Sequence, residues 1–174
     1  MKNEQIKIYS NQMEFCYGNV EWTHKIHEKA ADFYTSLSNW ISLSQLILSF
    51  IIGWDVLSQM RAESPFISWF LVLCSALLAL LNSITKVFDF EKCKSRHIAT
   101  AKSLWELRED YRSFKNDIKA GLYEVDSFLL KRQELQKRAE EIYKQAPRTF
   151  DRAYNRAKKD FDDNKVSFEH LEEK

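Results

Sequence analysis

The residue types best suited to binding a metal ion occur here as two closely spaced pairs. His24 and His27 stand three positions apart, and Cys93 and His97 stand four apart. On a helix, either spacing places two side chains on one face, where they could supply two ligands to a transition metal. Helices rich in polar residues produce such pairs by chance, and the second pair lies on an apolar face. We therefore predict no metal site.

Catalytic motifs are also missing from the sequence. It contains no glycine-rich phosphate-binding loop and no nucleophile elbow, and its carboxylates form no paired arrangement on a sheet. We predict that the protein is not an enzyme, has no catalytic residues and binds no cofactor.

A different set of polar residues lies inside two apolar stretches and recurs there at helical spacing. These candidate residues are Ser38, Ser42, Gln45 and Ser49 in the first stretch and Ser68, Ser75 and Asn82 in the second. Each set shares one helix face. Because polar side chains avoid lipid, the two stripes either hydrogen-bond to each other or line an aqueous pathway in an assembly. No Asp or Glu accompanies them, so such a pathway would discriminate poorly between ions.

The two stretches that carry these residues are long enough to cross a membrane. Residues 33–54 and 65–85 contain no charged side chain, and a helix of about twenty residues spans a hydrocarbon core of about 30 Å. The alternative is a pair of buried helices in a soluble protein, but such helices normally carry a charged face. Residues 55–64 are too few to form a domain. We therefore predict a transmembrane hairpin.

Basic residues predict the orientation of the hairpin. They are Lys25 and Lys29 before it, Lys86, Lys92, Lys94 and Arg96 after it, and Arg61 alone in the connection. Positively charged flanks stay on the cytoplasmic side, so both termini are expected in the cytoplasm. Anionic lipids at this inner interface are expected partners.

Outside the hairpin the pattern is helical almost throughout. We predict an all-α fold: an integral membrane protein whose two-helix transmembrane hairpin extends into long cytoplasmic helices that form a helical bundle. The predicted domains are a polar N-terminal segment (1–19), an N-terminal helix plus the hairpin (20–86, with spans at about 36–55 and 65–85), a cytoplasmic helical region (87–162) and a polar tail (163–174). The N-terminal helix should run without interruption into the first span, and the second span should continue outward as one long helix.

An apolar seam follows the second span at heptad spacing. Its residues are Phe90, His97, Leu104, Leu107, Tyr111, Phe114 and Ile118. We predict this seam as the surface at which copies of the chain assemble into a homo-oligomer. Ordinary core packing within one chain is the alternative.

The layout as a whole resembles a known family. The residues that carry the resemblance are Trp22-x-x-x-Ile26-x-x-x-Ala30-x-x-x-Tyr34, a long helix with His97, Ala101, Leu104 and Trp105, and the closing pattern Ala146-Pro147-Arg148-Thr149-Phe150 with Tyr154-x-x-Ala157. They are similar to the SLATT domain, the two-transmembrane effector module associated with SMODS and SLOG domains in prokaryotic conflict systems. The resemblance covers roughly residues 20–162.

This resemblance implies a function and a set of partners. A SLATT protein is expected to be an effector that oligomerises in the inner membrane, permeabilises it and aborts phage infection. Its activator would be encoded separately: a nucleotide second-messenger synthetase, a sensor or a reverse transcriptase. With a net charge of +1, direct binding of nucleic acid is not expected. Two alternatives are a membrane-anchored helical scaffold that recruits a partner and a regulatory subunit of a larger channel.

Overall fold

The structure is a computed structural model that describes residues 2–59, 65–122 and 125–172, with side chains described within 8–54, 69–122 and 126–163. These residues form α1 (Lys2–Gln59), α2 (Pro65–Val87), α3 (Phe90–Lys119), α4 (Val125–Gln145) and α5 (Asp151–Glu172). No strand occurs in this part of the chain, so the predicted all-α fold class is confirmed.

Helix α1 is 58 residues long and contains no proline. It includes both the predicted N-terminal helix and the first apolar stretch, which confirms that the two form one uninterrupted helix. The second span differs from its prediction, because α2 ends at Val87 and α3 begins at Phe90. Asp89 causes the break: its Oδ1 accepts a hydrogen bond of 2.8 Å from the backbone N–H of Lys92 and so caps the start of α3.

The end of α3 has an equally local cause. Gly121 adopts a φ of 72°, a left-handed conformation that costs other residues more. The N–H of Gly121 donates to the carbonyl of Ile118 at 3.1 Å, and the N–H of Leu122 donates to that of Asp117 at 3.1 Å. This pair of bonds is a Schellman motif, which satisfies carbonyl groups that the end of the helix leaves without intrahelical partners.

The chain divides into two compact units, of which the first contains the described parts of Met1–Asp32 and Ser95–Lys174. Its larger core joins α1, α3 and α4. The buried residues of that core are Met13, Val20, Leu104, Leu107, Tyr111, Phe114, Phe128 and Leu135. Phe114 and Phe128 pack with their ring centroids 5.1 Å apart. Burying this many large apolar side chains is the main source of stability for the unit.

A second core in the same unit joins α1 to α5. Ile26 and Ala30 of α1 pack there against Ala153 and Ala157 of α5. Three of these four residues are alanines with no exposed surface. Such small side chains allow two helix backbones to approach closely. Lys29 adds an ion pair with Asp160 at 2.5 Å.

The second unit is Phe33–Lys94. It holds the C-terminal part of α1, the whole of α2 and the first residues of α3. Two hydrogen bonds show how its helices run: Gln45 pairs with Asn82, and Ser38 pairs with Glu91. Ser38 precedes Gln45 in the sequence, whereas its partner Glu91 follows Asn82. The two segments therefore run antiparallel, as a hairpin requires.

Candidate functional site

The apolar surfaces of the two long helices are exposed. The most apolar 18-residue window of the first helix has a mean hydropathy of 1.3, and none of its residues is buried. The corresponding window of the second helix has a mean hydropathy of 1.9, and 6% of it is buried. Trp40, Phe50, Trp69 and Leu73 are each more than half exposed. The core helix of a soluble protein buries such residues. Helix α2 has 23 residues, which at 1.5 Å each is about 35 Å and enough to cross the hydrocarbon layer.

A polar contact joins these two helices. The Nε2 of Gln45 donates to the Oδ1 of Asn82 over 3.0 Å. In lipid an amide without a partner is costly, so this bond both satisfies one donor and one acceptor and holds the helices in register. Of the two roles that the sequence leaves open for the stripes, packing accounts for Gln45 and Asn82 in a single chain.

Ser38 makes a further polar contact between segments of this unit. Its hydroxyl donates to Oε1 of Glu91 over 3.2 Å, and Lys94 also donates to Glu91, at 2.9 Å. The hydrogen bond from Lys94 is the main reason that the pKa of Glu91 is lowered. The carboxylate is therefore charged at neutral pH, so the Ser38 end of the stripe lies at a polar boundary.

The remaining stripe residues make no hydrogen bond between the helices among the described side chains. Ser49 donates to the backbone carbonyl of Gln45 at 2.8 Å, so its hydroxyl is satisfied by its own helix. Ser42 and Ser75 are exposed. The side chain of Ser68 lies outside the described residues.

The predicted assembly seam is used inside the chain. His97, Leu104, Leu107, Tyr111 and Phe114 are at most 2% exposed. The last four belong to the core shared with α1 and α4, and Ile118 packs against that core. Phe90 is half-buried and lies in the other unit. A heptad pattern identifies a buried face but not its partner, and here the partner is the same chain. Contacts between copies would need another surface.

A pair of histidines forms the most unusual polar contact of the first unit. Nδ1 of His27 on α1 lies 2.9 Å from Nδ1 of His97 on α3, and each side chain is 2% exposed. A hydrogen bond at this distance requires one ring to carry a proton on Nδ1 and the other to accept it at an unprotonated Nδ1, so the accepting ring is neutral. Burial, followed by the charges of His97 and His24, lowers the pKa of His27 to about 4. Burial also lowers the pKa of His97.

The two pairs with metal-ligand spacing have different surroundings in the structure. His24 is near Glu28, with 3.6 Å between Nε2 and Oε1, and Cys93 is exposed. Within the described part of the chain, no group of three or more His, Cys, Asp or Glu side chains is placed to hold a metal ion. Sequence reasoning missed the contact of His27 with His97, because 70 positions separate them.

Several of the residues that carry the family resemblance lie together where α1 meets α5. The Trp22 ring packs 5.3 Å from that of Tyr154 and 5.0 Å from that of Phe161. Ile26 and Ala30, one and two turns further along α1, contact α5 in the smaller core. The two ends of the sequence pattern thus form one interface, which gives the resemblance a physical basis.

The two exposed apolar helices are long and apolar enough to cross a membrane, as a two-transmembrane domain requires. Over residues 9–173, nearly its whole length, the chain matches the SMODS and SLOG-associating 2TM effector domain family 4, and it therefore belongs to that family. The family consists of two-transmembrane effector domains associated with defence systems and without known enzymatic activity. No curated protein and no solved structure matches the chain.

Proposed function

We propose that this chain is the membrane effector of a prokaryotic anti-phage system and acts by abortive infection. When a separate partner is triggered, copies of the chain assemble in the inner membrane and permeabilise it, which stops growth. The observation that carries this proposal is the family match over residues 9–173, since the family is one of two-transmembrane effectors.

The physical argument for assembly begins with the hairpin. Two helices cannot enclose water, so a pathway needs several hairpins. Exposed apolar residues such as Trp40, Phe50 and Leu73 can face lipid, while polar residues on the same helices are disfavoured there. Ser42 and Ser75 are exposed, and contact between copies would remove them from lipid. We assign these two serines to the lining of the assembled pathway.

The orientation and the partners follow from charge and from the family. Basic residues flank the hairpin on both sides, which supports the proposal that both termini lie in the cytoplasm. There the flanking lysines would meet anionic lipids, and the helical unit would meet its activator. That activator is a separately encoded nucleotide second-messenger synthetase, sensor or reverse transcriptase.

A second candidate function is a membrane-anchored scaffold or regulatory subunit that recruits a partner without forming a pore. The bond between Gln45 and Asn82 favours it, because a hairpin whose amides at these positions are hydrogen-bonded to each other within one chain is held together without a second copy. For a scaffold the identity of the spans is unimportant. A foreign hairpin in place of residues 33–85 would then preserve function.

Matched serine variants test the pore directly. Ser42→Leu with Ser75→Leu should make the lumen hydrophobic enough to stop conduction. Ser44→Leu with Ser83→Leu is the control, because these two hydroxyls only donate to carbonyls of their own helices, those of Trp40 and Ala79.

The readout is growth arrest and loss of membrane potential on co-expression with the neighbouring genes, with membrane insertion checked for each protein. We expect the first double variant to be inactive and the control to remain toxic. If both behave alike, the serines do not line a pathway.

A further inference from the structure

The first unit contains a cavity that none of the properties above uses. It has a volume of about 360 Å³ and lies where α1, α3 and α4 meet. Helix α1 contributes Cys16 and Thr23 to its wall, α3 contributes Tyr111, and α4 contributes Gln136 and Tyr143. Cavities that bind small molecules begin at about this size.

The chemistry of the wall is apolar and aromatic, with several neutral polar groups. Among the described residues that line the cavity none is charged. Burial raises the pKa of the Cys16 thiol, and it also raises the pKa of Tyr143 and that of Tyr111, the latter to about 12. The hydroxyl of Thr23 donates to the backbone carbonyl of Asn19 over 2.8 Å. These four side chains are therefore uncharged at neutral pH.

The charge of Arg132 reaches this wall and is partly paired. It lowers the pKa of Cys16, its Nη1 donates to Gln12 over 3.0 Å and its guanidinium lies 5.1 Å above the ring of Tyr9, while its buried Nε has no hydrogen-bond partner. A phosphate or carboxylate would find no cation among the described lining residues, and burying an unpaired charge is costly.

We infer that this cavity is a binding site for a small, uncharged, largely aromatic molecule with one or two hydrogen-bonding groups. Its flat rings would lie against Tyr111 and Tyr143, and its polar edge would face the amides of Asn19 and Gln136. Because the site is built from three helices, an occupant holds α1, α3 and α4 together. The inference is independent of whether the hairpin conducts.

Protection of Cys16 from alkylation tests the site on the full chain in lipid nanodiscs. Substitution of Cys74 by Ala and of Cys93 by Ser leaves Cys16 as the one thiol in the chain. Indole, an uncharged ring with one donor, is the probe, and indole-3-acetate is its anionic counterpart. Indole should slow labelling by N-ethylmaleimide about tenfold at ten times its Kd, and indole-3-acetate should have little effect.

Two glutamines on α4 supply a matched pair of variants. Both are exposed, but Gln136 lines the cavity and Gln133 does not. Gln136→Trp should fill the site and remove protection, and Gln133→Trp should keep it. The rise in Tm with indole, measured on the same two proteins, gives a second readout that does not depend on the thiol.

The inference is overturned if indole gives neither protection nor a shift in Tm, which would mean that the cavity holds only water. Equal responses of the two tryptophan variants would place binding elsewhere, and equal protection by indole-3-acetate would refute an uncharged ligand.

Discussion

His27 should make the packing of α1 against α3 sensitive to acid. In the folded unit its side chain is 2% exposed, and its pKa is lowered from 6.5 to about 4, mainly by burial and then by the neighbouring His97 and His24. When this segment of α1 opens, His27 enters water and regains a pKa near 6.5. Below that pH the opened state binds a proton that the closed state does not, so acid favours opening.

The size of the effect follows from the two pKa values of His27. The free energy of opening is at its full value above about pH 6.5. It falls as the pH falls towards 4, where protonation of His27 in the opened state has lowered it by about 3 kcal/mol. Between pH 7 and pH 5 the expected loss is about 2 kcal/mol, or roughly a thirtyfold increase in the open population. Burial also lowers the pKa of His97, which adds to the loss in the same direction.

Hydrogen exchange of the full chain in nanodiscs measures this opening. The amides of α1 around His27 are followed at pH 7 and pH 5, with each rate corrected for its intrinsic dependence on pH. His27→Gln is the control, because glutamine keeps hydrogen-bonding capacity but does not titrate. We expect the parent to lose about 2 kcal/mol and the variant to lose clearly less. Equal opening free energies at the two pH values, or the same drop in both proteins, would refute the argument.

Three further predictions concern the core, a helix cap and the orientation. Leu104→Lys buries an unpaired charge in the core of the first unit, at a cost of several kcal/mol, so that unit should become sensitive to protease. Trp105→Lys is the control, because Trp105 is 48% exposed, and it should leave the unit resistant. Equal digestion of both variants would contradict the packing. Asp89→Ala removes the cap of α3 and should lower the stability of the helix start by about 1 kcal/mol, which hydrogen exchange would detect as faster exchange of the amides of residues 90–93. Asp89→Asn should retain the protection. If the alanine variant exchanges like the parent, the cap contributes nothing. Single cysteines at Gln59 and at Lys131, each in a cysteine-free background, should differ in their labelling by an impermeant thiol reagent on intact spheroplasts. We expect the reagent to label the cysteine at Gln59 only. Labelling at Lys131 only would invert the topology.

The helices and the apolar stretches could be predicted from sequence because their signals are local. A charge-free run of twenty residues needs no partner to be recognised, and Gly121 ends α3 through its own φ. The break before α3 could have been found as well, since an aspartate directly before a helical pattern is a common N-cap.

The contacts of the seam and of the histidines could not be predicted in the same way. Periodicity shows that Leu104 and Tyr111 face something apolar, but a neighbouring helix and a second copy of the chain produce the same pattern. His27 and His97 each lie on a helix face, and only the packing of α1 against α3 brings their Nδ1 atoms within 2.9 Å. The cavity at Cys16 likewise needs three helices that are distant in sequence.

Dye release from liposomes tests the central proposal most directly. The full chain is reconstituted at rising protein-to-lipid ratios into vesicles that contain anionic lipid and a trapped fluorophore, with and without the neighbouring gene products. If hairpins assemble into a pathway, release per chain should rise steeply with density and with the activator, and a chain with a foreign hairpin in place of residues 33–85 should release little. Vesicles that retain their dye at every density and with every partner, or that leak equally with the foreign hairpin, would contradict the proposal that this chain permeabilises membranes.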